Sequence, residues 1–392
     1  MRKSLSKFVT NLWEKSAEKK RLTFFEKIFF LILCFFEKFY CIIFFIAQTF
    51  SKKNGNKIVP NLKVISVGNL SAGGTGKSVF VGFLVQILGN THCAIISRGY
   101  GGRRSSDKSL LVSDGQNYFC TPDICGDEPY MLAQSLHVPV IVGKNRYESC
   151  LLLHESFETS KNGTSKKIAI LDDGYQNHQL KKDFEIVLVD ARSPFGNGHC
   201  LPAGNLREKD YSRADVIILT HADEINISEE NSETVFSDEA VLFEKISKIK
   251  TKFFPKFDQS KILCGKHKPA GLFLFDEQQV ELHDYKNKKF LVLAAIGSFS
   301  GFTQSLKNFG IQIDQVLQFP DHHNYSEEDV ILIFDTVKKY GLSGVITTQK
   351  DWAKLSFLMG KNENKLEVLV FRIKFEFLTK DEEVLFKKYL NI

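Results

Sequence analysis

A chain of 392 residues, 43% hydrophobic and 25% charged, can bury a large core and is too apolar to stay disordered. Its formal charge of +6 is uneven: residues 1–60 hold 12 Lys and Arg against 4 Asp and Glu, a local +8, which leaves −2 for everything after them. A basic balance confined to one apolar end argues against a nucleic-acid-binding protein and for an anionic membrane surface. The 8 Cys contain no Cys-x-x-Cys pair, so reduced, buried thiols are expected and structural zinc is not.

The first element is apolar. Ile28 to Phe50 is long enough to cross a bilayer, yet Glu37 and Lys38 fall at its centre. Its Leu, Ile and Phe side chains favour insertion by about 0.3–0.6 kcal/mol each and the two charges oppose it by about 2.5–3.5 kcal/mol each, so the sums nearly cancel. At helical spacing Lys15, Lys19, Lys20, Glu26, Lys27, Glu37 and Lys38 share one broad sector, interrupted by Phe30, Leu33 and Phe44. This pattern predicts a membrane-associated helix lying in the interface; a spanning helix and one packed on the protein's own core are the alternatives. No small-residue cleavage pattern marks a signal peptide.

Leu62 to Leu88 follows as a short buried strand (Val64 to Val67), a glycine-rich loop and an apolar helix opening at Lys77-Ser78. Gly73, Gly74 and Gly76 let backbone N–H groups converge on one point, and the helix N-terminus adds partial positive charge. Lys77 supplies a cation and Ser78 a hydroxyl for Mg2+. The loop Ser71, Ala72, Gly73, Gly74, Thr75, Gly76, Lys77, Ser78 therefore reads as a receptor for the β- and γ-phosphates of a nucleotide, although Ser71 stands where the strict motif has Gly.

Beyond it, strands at Cys93–Ile96, Val138–Val142, Lys167–Leu171, Glu185–Val189 and Val216–Leu219 alternate with helical pattern near Glu128–Leu136 and from Asn145. Such alternation predicts an α/β fold: a mostly parallel sheet of P-loop kinase type with helices on both faces and ligands beyond the strand C-termini. Residues 222–285 break the rhythm. From Lys289 it resumes as strand Phe290–Ala294, helix Phe302–Phe309, strand Ile313–Phe319, helix Glu327–Lys339 and strand Gly344–Thr347, a second, smaller α/β domain. The expected division is a membrane-associated helix in 1–56, a P-loop kinase domain in 57–250, a connection in 251–288 and a smaller domain in 289–392 that closes over the cleft.

Four polar motifs sit at strand or helix ends. Ile168 to Asp173 is an apolar strand ending in two carboxylates, where a P-loop enzyme holds Mg2+. Gly126-Asp127-Glu128-Pro129 opens a helix, where Asp is an N-cap or a catalytic group. Phe319-Pro320-Asp321-His322-His323-Asn324 offers His322 as an acid–base group or as a plain loop residue. Thr348-Gln349-Lys350-Asp351 reads as a turn and helix start, not as a guanine-reading motif.

GNLSAGGTGKS, SRGYGGR, GDEP, VGKNRYES, LDDGYQNHQL, VLVDA, LPAGNLRE, FPDHHNYS and TQKD occur in this order. In this set the chain resembles the tetraacyldisaccharide 4'-kinase (lipid A 4'-kinase) family of Gram-negative bacteria, from about residue 57 to 355. The resemblance implies a kinase at the cytoplasmic face of the inner membrane that uses ATP and Mg2+. It would phosphorylate the 4'-hydroxyl of an acylated glucosamine disaccharide 1-phosphate, giving lipid IVA, with no obligate protein partner. It assigns the nucleotide loop to Ser71–Ser78, the magnesium side to Ser78, Asp172, Asp173 and Glu208, and the base on the sugar hydroxyl to Asp127 with His322 as its proton partner. Tyr100, Arg146 and His178 match polar residues around the phosphates and the acceptor. The run 294–302 and Gln349 depart from the family pattern. A membrane-bound P-loop NTPase with another acceptor or a regulatory role is the alternative.

Overall fold

The computed structural model describes residues 2–18, 20–53, 55–100, 102, 108–158, 167–225, 238–274, 278–285, 288–359 and 366–391. Gly101, Arg103 and Arg104 of the SRGYGGRR stretch lie outside them. The chain forms two compact units: residues 1–98, 145–267 and 375–392 make the first, and residues 99–144 and 268–374 the second. Each unit is therefore assembled from separate stretches of chain.

In the first unit six strands run parallel, in the order 262–267 (the first part of Ile262–Phe273), Val216–Thr220, Phe184–Asp190, Leu62–Asn69, Lys167–Asp172, Cys93–Ser97. Leu62–Asn69 is flanked on both edges, with Ile65 opposite Ile170 on one side and Phe184 on the other. Strands covered on both faces read as continuous apolar runs, and Val64, Ile65 and Val67 are buried accordingly. The helix Lys77–Leu88 buries Phe80, Val81, Leu84 and Val85. Behind it Phe80, Phe83, Phe375, Phe377 and Phe386 interlock, with Phe80 4.9 Å from Phe375 edge-on and Phe83 5.6 Å from Phe377. Part of the high Phe content therefore backs the nucleotide loop. Two of these residues and the helix Lys380–Leu390 return to the first unit at the C-terminal end.

The second unit carries four parallel strands in the order Ile313–Gln318, Phe290–Ala294, Gly344–Thr348 and the 367–374 part of Glu367–Phe377, and an antiparallel pair, Leu110–Asp114 with Pro139–Val142. Alternation along its strands builds two cores. Phe290, Val292, Ala294 and Ile346 pack with Phe302 and Leu306, whereas Leu291, Leu293 and Val345 pack with Val330 and Ile333. The helix Glu327–Lys339 starts on a capping box, Ser326 with Asp329. The α/β expectation holds. The two apolar stretches near Lys261 and Leu272 belong to one strand, Ile262–Phe273, whose Lys266–Pro269 middle disguised it.

Near the N-terminus the helix Arg2–Ala17 precedes the helix Phe24–Lys53, which is long and apolar enough to cross a membrane by length and composition. Phe25 is 82% exposed, and Phe24, Leu31, Ile43, Phe45 and Phe50 are also exposed. Its other face lies on the first unit, where Leu33 packs with Leu12 and Ala203.

Candidate active site

The loop after Leu62–Asn69 bends through Gly73 (φ 139°) and Gly76 (φ 78°), and Gly76 is the residue from which the helix Lys77–Leu88 starts. No side chain caps this N-terminus, so its N–H groups stay directed at whatever enters the loop. Thr75 is buried and fixes the loop from inside: its hydroxyl accepts from Asn69 Nδ2 at 3.1 Å, and its carbonyl from Thr220 Oγ1 at 3.2 Å.

Lys77 extends to Asp173, Nζ to Oδ1 3.6 Å. Arg207 NH1 also donates to both oxygens of Asp173, at 2.9 and 2.8 Å. Burial pushes the Asp173 carboxyl up, but Lys77 and Arg207 outweigh it and hold it below the usual carboxylate range. Asp173 adopts φ 57°, a left-handed conformation that Asp tolerates better than most residues. The preceding Asp172 ends the strand Lys167–Asp172, is 3% exposed, and accepts from Ser97 Oγ at 3.1 Å. Arg146 NH2 lies 3.5 Å from the Asp172 carbonyl. The first unit thus brings together Lys77, Asp172, Asp173 and Arg146, which the sequence spreads over about a hundred residues.

The connection 199–208 runs beside the same loop. Ala72 N donates to Asn205 O at 2.6 Å, Arg207 N to Leu70 O at 2.7 Å, and Ser71 pairs with Leu206. Glu208 is buried at its end. It accepts from Gln176 Nε2 at 3.0 Å and Gln48 Nε2 at 3.1 Å, and Arg213 NH2 stands 3.3 Å away. Burial raises the Glu208 carboxyl, with Arg213 and the two amides opposing. His178 lies against Arg213, Nδ1 to NH1 3.2 Å, and burial followed by that guanidinium pushes the imidazole down to about 3. His178 is therefore a neutral donor–acceptor at neutral pH, not a cation.

Fit to Mg2+ follows from this donor set. Ser78 at the helix start and the carboxylates of Asp172, Asp173 and Glu208 offer hard oxygens of the type Mg2+ takes, with Asp173 also held by Lys77 and Arg207 and Glu208 by Arg213. Those residues fit the ion.

A second cluster joins the N-terminal helix to the connection 199–208. Glu37 Oε2 lies 2.7 Å from His199 Nδ1, Glu37 Oε1 accepts from Cys200 N at 2.6 Å, and Cys34 Sγ is 4.0 Å from the His199 ring nitrogen. Cys34, Glu37 and His199 thus bring three metal-ligating atoms within 4.8 Å, a grouping that linear spacing hides. Both Glu37 oxygens are already engaged, by His199 and by Cys200 N, and burial pushes the Cys34 thiol up, so these contacts act as a clasp between the helix and the connection.

In the second unit Asp127 is the first residue of the helix Asp127–Leu136, and Gly126 (φ 97°) is its N-cap. Its carboxylate pairs with Lys354 Nζ at 3.1 Å and faces His322 Nδ1 at 3.8 Å. Burial raises the Asp127 carboxyl, but His322, Lys354 and Lys350 outweigh it and hold it low. His322 is 61% exposed on its side chain, adopts φ 57°, and its Nε2 lies 3.2 Å from Lys350 Nζ. Lys354 is buried and also donates to His323 O at 2.7 Å. Lys350 and Lys354 share a helix face one turn apart, the only sequence signal for them. Tyr100 is exposed, and its carbonyl packs where a Gly126 side chain would stand. Sequence reasoning named Asp127 and His322 and missed Lys350, Lys354, Arg207, Arg213 and Gln176.

Comparison with known proteins gives concordant results. A family model described as LpxK, tetraacyldisaccharide-1-P 4'-kinase, matches residues 29–390. The tetraacyldisaccharide 4'-kinase of Halothermothrix orenii is 32% identical over 370 residues, covering 91% of this chain and 90% of that protein. That of Aquifex aeolicus is 33% identical over 324 residues, covering 79% and 88%. The crystal structure of the "apo" form of LpxK from Aquifex aeolicus in complex with ATP superposes with a TM-score of 0.66 at 29% identity, covering 91% of this chain and 96% of that one.

Proposed function

Because the chain belongs to the tetraacyldisaccharide 4'-kinase family, we infer that it transfers the γ-phosphate of ATP to the 4'-hydroxyl of tetraacyldisaccharide 1-phosphate, a step of lipid A biosynthesis. The family match from residue 29 to residue 390 carries this reading. When bound, ATP supplies the phosphoryl group, and Mg2+ offsets charge on its phosphates.

The chain's own residues take the following roles. The N–H groups at the start of Lys77–Leu88 bind the phosphate oxygens, and Lys77 adds a cation. Asp173 and Arg207 hold Lys77 in place, since Lys77 shares Asp173 with Arg207. Ser78 and Asp172, together with Asp173 and Glu208, would hold Mg2+. Arg146, His178 and Tyr100 orient phosphate and acceptor groups. Asp127 accepts the proton of the sugar hydroxyl. Lys354 keeps it ionised beforehand, and His322, whose Nδ1 faces Asp127 and whose side chain is 61% exposed, takes that proton from Asp127 and releases it to solvent.

The outer face of the helix Phe24–Lys53 is assigned to the membrane interface, on the cytoplasmic side of the inner membrane. Contacts to the protein run from Leu33 to Gln48, about 22 Å along the axis at 1.5 Å per residue. A helix docked over that length lies beside its protein and cannot also stand across a bilayer without drawing the protein in. Radiolabelled ATP with lipid A disaccharide 1-phosphate should give a bisphosphorylated lipid; ATP consumption indifferent to that lipid would overturn the assignment.

A further inference from the structure

The helix Phe24–Lys53 touches the site it was expected only to tether. Three of its polar side chains reach one connection. Glu37 Oε1 accepts from Cys200 N at 2.6 Å, Tyr40 OH donates to Arg207 O at 3.1 Å, and Gln48 Nε2 donates to Glu208 Oε2 at 3.1 Å. These side chains lie three and eight residues apart, on one face of the helix. Their targets bracket the connection 199–208 at its start and its end.

That connection is wired into the catalytic groups. Asn205 and Leu206 pair with Ala72 and Ser71 of the nucleotide loop, and the Arg207 guanidinium holds Asp173, the partner of Lys77. Glu208 receives Gln176 Nε2, which also donates to Asn69 O at 2.9 Å, at the end of the strand that feeds the loop. Each link is a hydrogen bond or ion pair inside the first unit. On its opposite face the same helix exposes Phe24, Phe25, Leu31, Ile43, Phe45 and Phe50.

We propose that Glu37, Tyr40 and Gln48 are positioning residues, through which the membrane-facing helix sets the connection 199–208 and so couples the enzyme's seat on the lipid surface to phosphoryl transfer. This rests on the lipid-kinase reading. Apolar surface on one face and hydrogen bonds to Arg207 and Glu208 on the other make the helix a single rigid lever, and its seating decides how Arg207 and Asp173 present Lys77. Small misplacements of charged groups cost rate more than they cost binding.

The test uses the full-length chain on phosphatidylethanolamine–phosphatidylglycerol vesicles doped with the disaccharide 1-phosphate. Vesicle co-sedimentation, melting temperature, kcat and the KM for ATP are measured for Gln48→Ala, Tyr40→Phe, Glu208→Gln and the double variant Gln48→Ala/Glu208→Gln. Vesicle binding should hold, because the outer face is untouched, while kcat falls roughly tenfold in Gln48→Ala, the scale of one hydrogen bond to a charged group. Gln48→Ala should add little further loss in the Glu208→Gln background, because both act through one contact. Tyr40→Phe removes a single hydroxyl and should lower kcat in a fully folded protein. Unchanged kcat in Gln48→Ala and Tyr40→Phe, fully additive losses, or losses that track vesicle binding or melting would overturn the proposal. A wild-type chain that does not phosphorylate the lipid would instead overturn the kinase reading, before any variant is compared.

Discussion

Lys354→Met isolates what the buried lysine does for Asp127. The ammonium lies 3.1 Å from Asp127 Oδ2, and the two side chains are 7% and 18% exposed. Unit charges about 4 Å apart near a protein surface interact by about 4 kcal/mol, and an adjacent cation lowers a carboxyl by about 1–3 pH units. His322 and Lys350 also face Asp127, so the loss should fall at the lower end of that range. Asp127 is held below its ordinary value in the folded chain, so it is ionised over the working range and is protonated only as pH falls through that lowered value. Removing Lys354 raises that threshold. The acid limb of kcat/KM should therefore move up by about one pH unit, while the alkaline side is affected much less. Stability shifts in the same sense: the contribution of the depressed carboxyl is present above its unfolded value and lost on acidification, so the variant should lose less stability than wild type between neutral and acid pH. The assay is the pH dependence of kcat/KM with the disaccharide lipid, alongside melting curves at each pH. An acid limb that stays in place in a folded Lys354→Met protein would show that Lys354 does not set the ionisation of Asp127.

Asp127→Asn should abolish turnover while ATP still binds, measured by calorimetry; unimpaired turnover would remove Asp127 from the chemistry. Lys77→Ala removes one preorganised charge and should lower kcat by about 10²–10³-fold, read in single-turnover experiments. Arg207→Met leaves Asp173 paired with Lys77, and should weaken ATP affinity and slow transfer together, whereas an unchanged ATP titration would deny Arg207 its role. Phe80→Ala opens the aromatic cluster behind the loop helix and should cost about 3–5 kcal/mol of stability by denaturant titration, with activity per folded molecule retained.

The parallel sheet and the nucleotide loop were legible because each rests on local signals: continuous apolar runs for strands covered on both faces, and glycines where φ turns positive at Gly73 and Gly76. Asp127 illustrates a limit. Its place at a helix start suits a cap as well as a base, and the charged groups that bear on the choice, Lys354 and His322, arrive from distant sequence. Residues 99–144 show a second limit, since a pass along the chain sees contiguous stretches and these fold with 268–374. Arg207 and Gln176 lay inside quoted motifs, LPAGNLRE and LDDGYQNHQL, yet they and Arg213 were given no role, because their partners become neighbours only when the connection 199–208 folds beside the loop.

The N-terminal helix shows how one pattern can serve two neighbours. Phe30, Leu33 and Phe44 interrupt its polar sector. In the fold the sector containing Leu33, Glu37, Tyr40 and Gln48 faces protein, and a protein-facing stripe mixes apolar packing with hydrogen-bonding groups. Glu37 then needs no water: Cys200 N–H and His199 serve both of its oxygens. The Glu37 charge that counted against burial in lipid is the one that fixes the helix to the enzyme, and the exposed, mostly apolar side carrying Phe24, Leu31, Ile43 and Phe50 is the side proposed above for the membrane.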